Sequence, residues 1–414
     1  MDGMAELTMA RVLLLVPART YRAADFLAAA GRLGLDLVVG SDGALPLSNR
    51  PVIRVDPRDL QASVDRLVAN SGRVDAVVAV DTLMLVLAAA AAARMGLPHN
   101  PVDVVRAATD KAEQRRRWAT AGGAQPAFRI VPAGASQDAL CDAAAQVGFP
   151  CVVKAVSLSG SQGVLRAGDQ AGAVAAAGRI RQVLDGTGRP AEEPLLVEAY
   201  VPGWELSIDG LLTDGELTVT AIFDKPETPK GPTFEETVLV TPSRLPQPLL
   251  SETLRAAARA ASALGLRYGP IHAELRLDAR GGQQRPTMLE LAARSIGGLC
   301  SRALRFLDGV SLEELVLANA LGRRVASPRL VRPAGVLMLP VERAGVLQAV
   351  EGRSDAAAVP GITGLSITIP VGQNVRPLPE GDRYLGFLFA EAATYQEVEE
   401  ALRAARRRLR VVIR

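Results

Sequence analysis

The chain has 414 residues, 49% hydrophobic and 22% charged, with a formal net charge of +3. This length exceeds one ordinary hydrophobic core, so two or three packed subdomains are expected. A charge so near neutrality gives no reason to invoke nucleic acid or an anionic membrane as partner.

Three widely spaced cysteines, Cys141, Cys151 and Cys300, exclude a disulfide framework and fit a reducing compartment. With only His99 and His272 present, familiar zinc spacings cannot be assembled. The N-terminal residues carry no basic segment followed by a long apolar stretch and a small-residue cleavage site. The longest apolar run, Leu83 to Ala93, is too short to span a bilayer. A cytoplasmic location is the expectation.

In chain order, Arg11 to Val16 reads as a buried strand, Arg22 to Leu33 as a helix and Leu35 to Val39 as a second strand. Val74 to Val80 is another strand, and the alanine-rich stretch to Arg94 is a helix stopped by Gly96 and Pro98. Such alternation predicts a parallel sheet covered by helices. The turn after Val16 is Pro17-Ala18-Arg19-Thr20, without a glycine fingerprint, so this domain is expected to be a scaffold with one wall of a pocket. A helix over Thr109 to Thr120 follows. Residues 128–214 read as β-rich and broken by glycines, with one helix near Asp138 to Val147. A helix from Glu252 to Leu264 leads into a strand, Ile271 to Leu277, which a Gly281-Gly282 hairpin returns through Met288 to Leu291. After Ser327, short strands at Val336 to Val341, Leu365 to Ile369 and Leu385 to Ala390 precede a closing helix from Gln396. The basic run Arg403 to Arg410 reads as a solvated helix face.

Four segments carry chemistry. Pro150-Cys151-Val152-Val153-Lys154 is a β-run ending in a lysine, followed by Ser157 to Gly163, whose small residues let backbone amides close over phosphate oxygens. It is not a Walker loop, because Lys154 precedes the glycines; the plainer alternative is a hairpin with a surface lysine. In Leu195 to Glu205, an apolar strand runs into Glu198 and a turn, as an adenine- and ribose-binding edge or an ordinary strand end. Glu274 and Glu290 each interrupt an apolar strand, and the hairpin makes those strands antiparallel neighbours. Facing carboxylates repel, and a hard divalent ion with oxygen ligands resolves that repulsion. Arg294 sits four residues further on, suited to phosphoryl oxygens. The alternative is a pair of salt bridges, for which Arg276 offers itself.

Taken together, Asp110-Lys111, Pro150 to Gly163, Glu198 to Glu205, and Glu274, Glu290 and Arg294 resemble the ATP-grasp superfamily over residues 106–325. Lys225-Pro226-Glu227 through Gly231 to Glu236, and Asp382 to Phe387, look most like the L-amino-acid ligase branch, the dipeptide-forming enzymes. The resemblance implies an α/β and α+β architecture: a Rossmann-like N-terminal domain (1–105), an ATP-grasp domain (106–325) with a lid at about 128–200, and a C-terminal α+β domain (326–414). It implies ATP and magnesium, or manganese in its place, with small carboxylate and amine substrates such as amino acids. Lys111 and Lys154 would hold the phosphates, and Ser159, Gly160, Ser161 and Gly163 the mobile lid. Glu198, Ala199 and Val201 would meet adenine, Glu205 the ribose, and Lys225 the nucleotide as well. Glu274 and Glu290 would bind magnesium and Arg294 would stabilise the transferring phosphoryl group. His272, two residues before Glu274, is a neighbour of the site and a candidate base, while Cys300 reads as a buried small residue. Many family members carry Asn where this chain has Ala292, so either water completes the metal shell or a second magnesium is held less tightly. Homodimers are common in the family. The competing readings are a bicarbonate-dependent carboxylation, phosphoryl transfer to a hydroxyl, and a catalytically silent nucleotide-binding module.

Overall fold

The computed structural model describes residues 10–45, 51–282, 284–307, 309–325, 328 and 330–414. The N-terminal unit is a parallel sheet in the order Val52–Arg54, Asp36–Ser41, Arg11–Leu15, Ala76–Ala79. The strand Arg11–Leu15 explains its position in the middle. Val12 and Leu14 pack with Phe26, Ala29 and Ala30 of the helix Ala23–Arg32 on one face. Leu13 and Leu15 pack with Leu67 and Leu87 of the helices Leu60–Ser71 and Leu85–Arg94 on the other. An apolar residue at each position from Val12 to Leu15 is what burial on both faces requires.

The helix expected over 109–120 is Lys111–Thr120, and a further short helix that the sequence reading did not give, Val102–Ala108, precedes it. Asp110 divides them, because its carboxylate accepts from the Glu113 N–H at 2.9 Å and caps the second helix. The lid is an antiparallel sheet in the order Phe128–Val131, Leu195–Ala199, Cys151–Ala155, Val164–Ala167. Two helices cover it, where the sequence suggested one. The second, Gln170–Gly186, contains Gly172, Gly178 and Gly186, which read as breaks. Packing overrides that propensity: Ala173, Ala176, Ala177, Ile180, Val183 and Leu184 form a continuous buried stripe, and Asp169 caps the start.

The largest element is an antiparallel eight-stranded sheet. Its order is Arg285–Ala292, Gly269–Asp278, Gly203–Thr213, Glu216–Lys225, Val238–Thr241, Ala334–Leu339, Gly386–Glu391, Ile362–Ile367. The expected division at 325/326 touches residues 326 and 327, including Ser327, which lie outside the described residues. Beyond them, Ala334–Leu339 pairs directly with Val238–Thr241, so the hydrogen-bonded ladder runs on through the C-terminal strands. The closing helix Tyr395–Arg408 carries Arg406, Arg407 and Arg408 in its last turn, where cations complement the helix dipole. A strand, Arg410–Ile413, follows it and joins a small three-stranded sheet. Among the described residues, no helix is long and apolar enough to cross a membrane.

Candidate active site

A cavity of about 350 Å³ lies between the lid sheet, the eight-stranded sheet, the N-terminal unit and the 376–384 loop. Of the residues singled out from sequence, Lys154, Ser159, Gly160, Ser161, Glu198, Ala199, Val201, Glu205, His272, Glu274, Glu290 and Arg294 all line it. Lys111 lines an adjoining small void with Glu290, Ala292 and Arg294. Gly163 and Lys225 do not line the cavity.

The hairpin register puts Glu274 directly opposite Glu290, with a bulge immediately after Glu274. Both side chains are partly exposed. Glu290 pairs with Lys111 at 3.2 Å, and Lys111 also donates to the Leu158 carbonyl at the foot of the lid. Arg276 pairs with neither Glu274 nor Glu290. It donates to Glu205 at 2.7 Å and to the Val201 and Pro229 carbonyls at 2.8 and 2.9 Å.

Glu198 is deeply buried between two cations, Arg115 at 2.6 Å and Lys154 at 2.6 Å. Burial would raise its carboxyl, but the charges of Arg115 and Lys154 more than offset this and the net shift is downward. The carboxylate is therefore committed to holding Lys154 in place.

Lys225, which the resemblance implies touches the nucleotide, has a buried ammonium bonded to Glu205 at 2.8 Å and to Glu236, with Glu274 at 3.4 Å. One oxygen from each of Glu205, Glu236 and Glu274 lies within 4.8 Å of the others, so three carboxylates share one internal cation. Burial would lower the Lys225 pKa, yet the three acids push it well above the usual lysine range. Glu236 is raised, first by burial and then by Glu274 and Glu205, against the pull of Lys225. Glu274 is lowered well below the ordinary carboxylate range, since Lys225 and His272 outweigh its burial.

The lid loop takes left-handed backbone at Gly160 (φ 64°), Ser161 (φ 60°) and Gly163 (φ 63°). At Gly163 an added Cβ would meet Leu158 at 3.0 Å and Ala155 at 3.1 Å, so glycine is needed for both conformation and space. The lid also reaches the C-terminal unit: Gln162 donates to the Glu380 carbonyl at 3.2 Å, and Arg179 makes a bidentate pair with the Glu380 carboxylate at 2.6 and 2.9 Å.

A family model described as an ATP-grasp domain matches residues 147–303, and one described as L-amino acid ligase C-terminal domain 2 matches residues 337–414. The crystal structure of an L-amino acid ligase from Bacillus licheniformis superposes with a TM-score of 0.79 at 25% identity, covering 97% of this chain and 98% of that one. The chain belongs to the L-amino-acid ligase branch of the ATP-grasp superfamily. Among curated relatives, carnosine synthase 1 of Gallus gallus is 31% identical over 327 residues, 74% of this chain and 34% of that protein. Alanine–anticapsin ligase of Bacillus subtilis is 28% identical over 266 residues, 60% of this chain and 54% of that protein. This ATP-grasp chain thus spans from a third to about half the length of those relatives.

Within the ATP-grasp site, four features escaped the sequence reading. Arg115, Asp209, Glu236 and the Asp81-Thr82 corner each act on a residue distant in sequence. Glu236 alone left a signal, as the end of the Lys225 to Glu236 segment that resembles the L-amino-acid ligase branch; it stands in the loop before the buried strand Val238–Thr241.

Asp209 changes the reading of His272. The imidazole Nδ1 lies 3.1 Å from Asp209 Oδ2, and Nε2 lies 3.5 Å from Glu274 Oε1. Burial would lower the His272 pKa, but Asp209 and Glu274 raise it from 6.5 to about 9. At neutral pH it is an imidazolium, unsuited to accept a proton. The raised pKa also carries a stability signature. In metal-free protein, the stabilisation from charged His272 is fully present below pH 6.5 and is lost as pH rises through about 9. Urea unfolding in EDTA from pH 6 to 9.5 is expected to show this decline in the parent and a flatter profile in His272→Gln. Identical pH profiles for the two proteins would contradict the assignment.

Proposed function

We propose that the chain is an ATP-dependent carboxylate–amine ligase that forms an amide or peptide bond through an acyl phosphate, releasing ADP and phosphate, with amino acids as substrates. The observation that carries this reading is the cross-strand pair Glu274–Glu290, opening on the same cavity as Lys154, the lid loop and Arg294. A phosphate-binding lid, opposed acids and an arginine in one cavity are the parts that phosphoryl transfer needs.

A carboxylate resists attack by an amine because its charge repels the nucleophile and oxide is a poor leaving group. Transfer of the γ-phosphoryl group of ATP to one carboxylate oxygen removes both obstacles. The amine then forms the C–N bond, the C–O bond to phosphate breaks, and the amine loses its proton. In this reading Lys111 and Lys154 hold the phosphates, while Ser159, Gly160 and Ser161 cover them, with Gly163 as the turn beneath. Ala199 and Val201 meet adenine, Glu198 serves by anchoring Lys154, and Glu205 meets the ribose. Arg294 steadies the transferring phosphoryl and acyl-phosphate oxygens, where preorganised charge has most effect. His272 acts as a cation that orients Glu274, and Lys225 balances the acids from below.

Glu274 and Glu290 fit magnesium, or manganese, because they present only oxygen donors, reach the cavity and carry charge that neighbouring cations now answer. When bound, the ion supplies neutralising charge to the phosphate oxygens. Ala292, opposite His272, offers no side-chain oxygen to it. The acyl phosphate hydrolyses readily, so the lid must also exclude water. The name alanine–anticapsin ligase supports amide formation from an amino acid. A cytoplasmic location belongs to the same reading, supported by three buried free thiols.

The test is ADP release with ATP and magnesium across a matrix of paired L-amino acids, with mass spectrometry of the products. The expected result is release that needs amino acids and a product equal to the pair less water. Bicarbonate-dependent release without amino acids, a phosphorylated product, or no release with any pair would overturn the proposal.

A further inference from the structure

Read from sequence, the N-terminal unit is a scaffold with one wall of a pocket, and the structure bonds it directly to Arg294 in that pocket. The strand Ala76–Ala79 ends at Val80-Asp81, and a 3-10 turn, Thr82–Met84, follows. Asp81 caps that turn by accepting from the Thr82 N–H at 2.7 Å, and its other oxygen accepts from Thr20 Oγ1 at 3.3 Å. The turn thereby fixes the Thr82 side chain, whose Oγ1 accepts from Arg294 Nε at 2.9 Å. Asp81 Oδ1 lies 3.9 Å from the same nitrogen. Arg294 Nη1 donates to the Ser295 carbonyl at 2.9 Å. Next to this contact, buried Arg22 donates to the Val80 carbonyl at 2.9 Å and to Ser295 Oγ at 2.5 Å, joining the two loops a second time.

An arginine side chain has several rotatable bonds, so its guanidinium plane is undefined until something holds it. Two in-plane hydrogen bonds fix both the plane and its rotation. Here they come from Thr82 and the Ser295 carbonyl, and the rest of the guanidinium has no hydrogen-bond partner among the described residues. The Arg294 side chain is mostly buried and lines the cavity.

We infer that Thr82, oriented by Asp81, is a positioning residue for Arg294, so that the N-terminal unit sets the geometry of phosphoryl transfer. This rests on the proposed role of Arg294. A charged group that must meet a transferring phosphoryl group loses effectiveness steeply when displaced, and an ångström of misplacement is worth up to about a hundredfold. Thr82 acts through Arg294 and touches no reacting atom. Its loss should therefore appear in kcat and leave nucleotide binding intact.

The experiment compares full-length Thr82→Val, Thr82→Ser, Arg294→Lys and the Thr82→Val/Arg294→Lys double variant. Each is assayed for ADP release with ATP, magnesium and the amino-acid pair of highest rate, alongside ADP affinity and melting temperature. Thr82→Val, which keeps the shape and removes the acceptor, is expected to lower kcat roughly tenfold, with the KM for ATP and ADP affinity little changed. Thr82→Ser should restore most of the rate, and Thr82→Val should add nothing once residue 294 is Lys. Parental kcat in Thr82→Val beside an impaired Arg294→Lys would overturn the positioning role and leave the Arg294 reading standing. Strictly additive losses in the double variant would overturn it too. Parental kcat in Arg294→Lys, or no release with any pair, would overturn the underlying reading and this inference with it. Should Thr82→Val melt too early to assay, Asp81→Ala, which removes the acceptor that caps the turn, carries the same test: a kcat loss with unchanged ADP affinity supports the inference, and a parental kcat overturns it.

Discussion

Glu290→Gln is expected to reduce amino-acid-driven ADP release by about a thousandfold while leaving the fold intact. The substitution keeps the size of the side chain and an oxygen for Lys111, which lies 3.2 Å away, so the local hydrogen bonding survives. What it removes is one of two opposed negative charges, and with it the affinity of the pair for a hard cation. Steady-state ADP release over a magnesium titration, with a thermal melt as control, checks this. ADP release comparable to that of the parent at all magnesium concentrations would refute the metal assignment.

The second large effect concerns stability. Lys225→Met is expected to destabilise the chain by about 3–5 kcal/mol, the scale set by stripping one partner from a buried charge network. Three carboxylate oxygens within 4.8 Å of one another would lose the ammonium they share, leaving, among the described residues, only Arg276 on Glu205 and His272 beside Glu274. Added magnesium should recover part of the loss by supplying an external one, and adding Glu236→Gln should recover part by removing a charge. Urea unfolding in EDTA and in magnesium measures both. Equal stability of Lys225→Met and parent in EDTA would show that the ammonium does not hold the acids together.

Much of the site was readable where its parts are close in sequence. Glu274 and Glu290 stand on one hairpin, so two apolar runs and a glycine turn sufficed to predict their register. Lys154 and the lid loop are likewise neighbours in the chain. The counter-ions were not readable. The acids around Lys225 come from the Gly203–Thr213 and Gly269–Asp278 strands and the loop before Val238–Thr241, and strand order rather than spacing brings them together. Glu198 looked available to a ligand because nothing nearby in sequence shows that Arg115 reaches it from another element. His272 looked like a base because Asp209, buried on an adjacent strand, contributes its charge from 63 residues away. Helix Gln170–Gly186 was missed for a different reason: there alanine packing outweighed three glycines.

The unbroken ladder from Arg285–Ala292 to Ile362–Ile367 limits how the enzyme can breathe. A lobe stitched to its neighbour by a full strand pairing cannot swing without tearing that pairing, so the C-terminal strands ride with the floor of the cleft. Among the described residues, the separate four-stranded sheet above shares no ladder with that floor, so under the proposed function the freedom to admit and release nucleotide is left to it. Its loop and covering helix are clipped through Gln162 and Arg179 to Glu380, on the 376–384 loop that lines the same cavity. Raising that sheet therefore means unfastening those contacts as well, which under the proposed function ties nucleotide exchange to the 376–384 loop.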